Sequence, residues 1–235
     1  PRQSAPAKPS AQVVLCMDDR EEGTRRHLEE IAPDIATYGA AGFFGVPIWW
    51  QGVDDAAPTA LCPVVVQPTH LVREVAAAGA GAQLAAHLAR RESRLGWRER
   101  FYQATRRHLV AGPLLTALGA APALAGLAAV TLAPRWAGEA ARRWRDWHDG
   151  RLATTLALTA EQAVAATPEQ PQVGLTDGEQ VARVEVFLRM IGLTDGFAPL
   201  VLILGHGSGS RNNPHLSAYD CGACSGKHGG PNARV

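Results

Sequence analysis

The sequence lacks a strong charge of either sign. Its 23 lysines and arginines face 22 acidic residues, a formal net charge of +1 over 235 positions. A nearly neutral chain has no global field to draw it to nucleic acid, so a nucleic-acid partner is not expected. Cysteine is also scarce. Four cysteines are few for a disulfide scaffold of this length. The first ten residues are polar and contain no apolar core of the kind a secretory signal requires. These absences point to a reducing, cytoplasmic setting in which thiols stay available to a metal. No internal repeat is evident. The chain also has no initiator methionine and ends directly on Asn232-Ala233-Arg234-Val235, so a segment of a longer protein is expected.

What is present is enough to fold. With 46% hydrophobic and 19% charged residues, the chain can bury a core. It is read as a single α/β unit over 1–235. A short apolar run, Gln12 to Cys16, has the character of a buried strand. Glu21 to Ile31 follows as a helix with an acidic first turn, closed by Pro33. Ile35 to Tyr38 and Cys62 to Gln67 are further strand candidates. Between them, Gly39 to Gly45 is rich in glycine and suited to close backbone packing. Residues 76–166 turn to Ala, Leu and Arg with helical periodicity and read as a helical insertion. The pairs Arg90-Arg91, Arg106-Arg107 and Arg142-Arg143 in it read as solvated helix faces. Leu109 to Pro134 carries no charge and is long enough to span a membrane. Its many Ala and Gly residues and its three prolines favour instead a buried or membrane-touching hairpin. Thr176 to Met190 is an amphipathic helix stopped by Gly192, and Ala198 to Leu204 is the strongest strand pattern in the chain.

Two apolar strands thus end in potential metal ligands, the first in Cys16 and the last in His206. In an open α/β sheet, ligands gather beyond the carboxyl ends of strands, so these distant positions can meet. A third ligand is available in Asp220-Cys221-Gly222-Ala223-Cys224. Thiolate with imidazole favours zinc over magnesium or calcium. Asp18, two residues past Cys16, can swing onto the same metal, and Arg20 can hold it away through paired hydrogen bonds. Each residue also has a plainer role. Cys16 could be a core thiol, Asp18-Asp19 a helix cap, and Gly205-His206-Gly207 a tight turn. Cys221 and Cys224 could form a redox pair or half of a structural zinc site, although no second C-x-x-C completes one.

Cys16-Met17-Asp18-Asp19-Arg20 resembles the first zinc motif of β-type carbonic anhydrases. The usual H-x-x-C second motif is missing. A wider resemblance is to the DabA family of inorganic carbon transporter subunits. It is carried by Cys16 to Glu29, Ala41-Gly42-Phe43-Phe44-Gly45, Cys62-Pro63, Gly205-His206-Gly207-Ser208, Asn212-Asn213-Pro214, Asp220 to Cys224 and Pro231 to Val235. It is specific at both ends of the chain and weak through the middle helices.

That resemblance implies a mainly parallel sheet of β-carbonic-anhydrase-like type with a large helical insertion. It places the metal ligands on Cys16, Asp18, His206 and Cys221, with Arg20 as the partner of Asp18. Asp18 and Arg20 are then the expected catalytic pair, and the roles of Cys62 and Cys224 stay open. It further implies zinc as cofactor and conversion of carbon dioxide to bicarbonate. The protein would be peripheral on the cytoplasmic face of the inner membrane, beside the cation-translocating subunit DabB. A soluble carbonic anhydrase and a non-catalytic zinc-stabilised module are the alternatives.

Overall fold

The first apolar run, Ala11–Cys16, forms strand β1, and all six of its residues are buried. This computed structural model describes residues 8–207 and 226–235. After β1 the chain turns into helix α1, Asp19–Ile31, and returns as β2, Ile35–Ala40, parallel to β1 with Cys16 opposite Ala40. Parallel neighbours need such a crossover, and α1 supplies it. The other edge of β1 pairs in parallel with β8, Val201–Ile203. The Gln12 N–H to Leu200 and the Leu204 N–H to Val14 extend that pairing at both ends. The first sheet therefore has the order β2-β1-β8, with β1 central.

A second sheet is built from β3 (Ile48–Gln51), β4 (Thr59–Leu61), β5 (His70–Ala76) and β6 (Thr154–Ala157), in the order β4-β3-β5-β6. A two-residue strand, β7 (Gln172–Val173), pairs with β5. Its pairings are mixed: β3 runs antiparallel to β4 and parallel to β5. The fold is thus mixed α/β with parallel segments. The expected strand over 62–67 is absent. The chain turns there instead, with the Val66 N–H bonded to the Pro63 carbonyl and the Cys62 thiol to the Val66 carbonyl. Pro63 and Pro68 flank three valines, so the apolar signal has no ladder to join.

Two buried clusters hold these sheets. Ile48, Trp50, Leu61, Val72 and Leu175 pack around the second sheet with Val46. Val14, Ala40, Phe44 and Phe187 pack on the first, where the Phe44 and Phe187 rings meet edge to face at 6.0 Å. Phe44 has φ of 50°, an unusual value for a residue with a side chain, and its burial in that cluster holds it there. Phe187 belongs to α5, Asp177–Ile191. This helix begins with a complete capping box from Thr176 and Glu179 and ends at Gly192 with φ of 77°. A short final helix, α6 (Gly230–Arg234), is fixed by buried Asn232, whose side chain donates to the carbonyls of Val46 and Leu61.

Contacts divide the chain into two compact units. Val75–Thr155 forms most of one, and the remaining described residues belong to the other. The helical unit contains α2 (Gly81–Arg107), α3 (Ala111–Leu132) and α4 (Pro134–Asp149), which pack on one another. Paired hydrogen bonds of 2.9 and 2.6 Å join Arg94 on α2 to Asp149 at the end of α4. Of the two positions expected for the uncharged stretch, buried or membrane-touching, the buried one is not found. Helix α3 runs unbroken through Pro122, and Gly112 is its single buried residue. It is long and apolar enough to cross a membrane.

Candidate functional site

Strand β1 delivers Cys16, with no exposed surface, to the carboxyl edge of the first sheet. The chain then leaves the sheet at Asp18, which caps α1. One oxygen of Asp18 accepts from the Arg20 backbone N–H at 3.0 Å and from Arg20 Nε at 2.8 Å, and the other accepts from Nη2 at 2.9 Å. Asp18 therefore caps α1 and pairs with Arg20, two of the roles anticipated for it. The guanidinium holds its carboxyl below the usual carboxylate range, against the opposing effect of burial. Arg20 remains partly exposed while the carboxylate is buried.

His206 follows β8 to the same edge and is buried. Neither of its ring nitrogens makes a hydrogen bond of ordinary geometry with a described residue. The neighbouring Cys16 sulfur has the largest influence on the ring and raises its pKa, with burial acting in the opposite sense. The backbone of His206 is anchored by the Gly229 N–H, which donates to its carbonyl at 2.9 Å.

Gly42 shows how close these groups are. A Cβ at this position would lie 2.6 Å from His206 Nδ1 and 2.9 Å from Cys16 Sγ. Both atoms thus line one small space, which exists because residue 42 has no side chain. The glycine-rich run was legible as a place of close packing, but its role as one wall of the site was not. The Gly229 backbone closes in from the other side, near enough that a Cβ there would collide with the Gly42 carbonyl and approach His206 Nδ1 to 3.0 Å.

Glu21 is the residue that sequence reasoning missed. It reads as an acidic residue in the first turn of a helix, yet its carboxylate accepts the Cys16 backbone N–H at 2.8 Å. Burial pushes its pKa up, and this N–H opposes the shift. The structure thus brings together Cys16, Asp18, Arg20 and His206. Cys221 and Cys224 lie outside the described residues. Among the described residues, no group of three or more His, Cys, Asp and Glu side chains is placed to hold a metal ion. Cys62 is buried, its thiol bonded to the Val66 carbonyl and its pKa raised by burial.

With this geometry in view, comparison with known proteins is decisive for the family. The pattern of the family described as "Probable inorganic carbon transporter subunit DabA" matches residues 1–235. The chain belongs to the DabA family. A relative of that name from Dechloromonas aromatica is 78% identical over 235 residues, covering all of this chain and 23% of the relative. One from Methylococcus capsulatus is 57% identical over 229 residues, 97% of this chain and 21% of the relative. One from Geobacillus thermodenitrificans is 39% identical over 234 residues, covering 26% of the relative. The chain therefore spans between a fifth and about a quarter of these DabA proteins. No solved structure matches it. Of the DabA-like motifs, Cys16 to Arg20, Gly42 and His206 build the site, and Asn232 fastens α6 beneath the second sheet.

Proposed function

We propose that this chain is the zinc-holding segment of an energy-coupled inorganic carbon pump. It would convert carbon dioxide to bicarbonate at a β-carbonic-anhydrase-like site. The observation that supports this most is the meeting of Cys16 Sγ and His206 Nδ1 at Gly42, beside the carboxylate of Asp18. The donor chemistry fits zinc. A buried thiol beside a buried imidazole, whose nitrogens make no hydrogen bond of ordinary geometry with a described residue, is a set that thiophilic ions prefer, and Cys221 is the third ligand in this proposal.

Zinc, when bound, supplies an activated water at neutral pH. The chain's own residues do the rest. Glu21 fixes the backbone of Cys16, Gly42 leaves room between the sulfur and the imidazole, and Arg20 holds both oxygens of Asp18. Asp18 engaged by Arg20 is the active arrangement in this reading, and Asp18 released from Arg20 is the shut one. A pump needs such a shutter, because a catalyst always open to both carbon species would dissipate the gradient it serves.

The transport role rests on the names of the relatives. Because this chain covers only part of their length, three further features belong to the proposal rather than to the chain alone. They are the membrane subunit DabB as partner, peripheral attachment to the inner membrane, and the cytoplasmic side.

Metal analysis of the full-length protein tests the ligands. One zinc per chain is expected, lost in Cys16→Ala, His206→Ala and Cys221→Ala and kept in Cys224→Ala. Equal zinc in wild type and Cys221→Ala rejects the set. Little hydration by the isolated protein is expected, with carbon uptake only when both subunits are expressed. Rapid hydration in isolation favours the soluble carbonic anhydrase.

A further inference from the structure

Residues 109–134 contain no charged side chain, and 22 of these positions form α3, a rod of about 33 Å. Although α3 touches α2 and α4, it is not sheltered by them. Leu114, Leu118, Leu124, Leu127 and Leu132 are all at least 61% exposed. The helices around it are of a different kind. Residues 75–155 hold twelve arginines against five acidic residues, while the chain as a whole is close to neutral. Trp97 on α2 and Trp136, Trp144 and Trp147 on α4 are exposed as well.

An uncharged exposed helix, bordered by arginines and by indoles that have both an apolar body and a polar N–H, has the composition of a membrane-interface surface. The positive balance matches anionic headgroups. We propose that α3, with the exposed tryptophans of α4, beds into the surface of an anionic lipid bilayer without crossing it. Crossing is disfavoured by the packing. Helix α4 begins directly after α3, and its far end is tied to α2 by the Arg94–Asp149 pair. A spanning α3 would carry its packed neighbours, with Arg98, Arg100, Arg142 and Arg143, to hydrocarbon depth. Bedding from one side leaves those arginines at the headgroups. The proposal rests on the peripheral attachment proposed above and assigns a surface to it, while the outcome of the zinc analysis at Cys16 and His206 does not bear on it.

The test uses the full-length protein and vesicles of three parts phosphatidylcholine to one part phosphatidylglycerol. Flotation with these vesicles is expected, at least tenfold weaker with phosphatidylcholine alone. Leu118→Glu combined with Leu124→Glu is expected to reduce it at least tenfold with circular dichroism unchanged. Hydrogen exchange gives a local readout that does not depend on a variant. Amides of Ala111–Leu132 are expected to slow at least tenfold on vesicle binding, while those of β1 stay unchanged. Three results overturn the proposal: no flotation, unchanged exchange over Ala111–Leu132 in the vesicle-bound protein, or full protection of that stretch before vesicles are added. The last would assign the surface to another part of the polypeptide.

Discussion

The sheet-bearing unit and the helical unit solve the problem of stability in different ways. In the first, Ile48, Val14, Val72 and Leu175 have no exposed surface, and both long helices start at a side-chain cap, Asp18 for α1 and Thr176 for α5. In the second, the buried residues of α2, α3 and α4 are Gly112, Gly138 and Asp149, and none of the three helices has a side-chain cap. The charges separate as well. Residues 75–155 carry a formal +7 and the rest of the chain −6. A unit with a dense core can hold a thiol, an imidazole and a carboxylate at fixed positions. A unit with almost no core presents its apolar atoms outward, and they are available to something else.

The comparison can be broken most directly in the core. Ile48→Ala is expected to cost about 2–5 kcal/mol, since it empties a fully buried site. Leu118→Ser, on the exposed side of α3, is expected to stay within about 0.5 kcal/mol. Denaturant titration of both variants checks this, and equal losses would erase the distinction between the units.

Next in size is Gly42→Ala. Its methyl group would press on His206 and Cys16, at an expected cost of about 1–3 kcal/mol. On the proposed zinc reading, zinc content should fall with it. A fully stable variant with unaltered zinc would show that the site is looser than drawn.

Acid sharpens the comparison, because each unit has a carboxylate held well below its ordinary range. The Thr176 N–H, with His70 and Gln172, holds Glu179 at about 2 rather than the ordinary 4.5. Arg94, with His148, holds Asp149 at about 2 rather than 3.8. Both folded-state values lie below the unfolded ones. Their contribution is therefore complete above about pH 5 and is lost as pH falls toward 2, about 1–2 kcal/mol each after solvent screening. Denaturant titrations at pH 6 and pH 3 should show a smaller drop in Glu179→Gln and, separately, in Asp149→Asn. A drop unchanged from wild type in both variants would place the acid sensitivity elsewhere. A loss of about 1 kcal/mol is expected of Thr176→Ala, from removal of the cap on α5, read as a lower melting temperature.

Much of this was legible in the chain itself. Val13 to Cys16 is a short apolar run of buried-strand type, and it lies in β1. Thr176, Glu179 and Gly192 mark the ends of α5 by chemistry that acts within a few residues. Asp18 and Arg20 are two residues apart, so their pairing is also local. Strands β3 and β5 were not legible. Trp49 and Trp50 do not alternate cleanly with polar neighbours, and the three valines of 64–66 gave a stronger false signal.

The sequence alone determined which groups stand at strand ends and helix starts, because backbone propensity and capping are decided by neighbours. Only the tertiary structure decided that Gly42 faces both Cys16 and His206, and that Glu21 turns back to the Cys16 N–H. The exposure of α3 was settled at the same level. These depend on which surfaces pack together across the fold, and the same uncharged helix would read identically whether it were buried or bare.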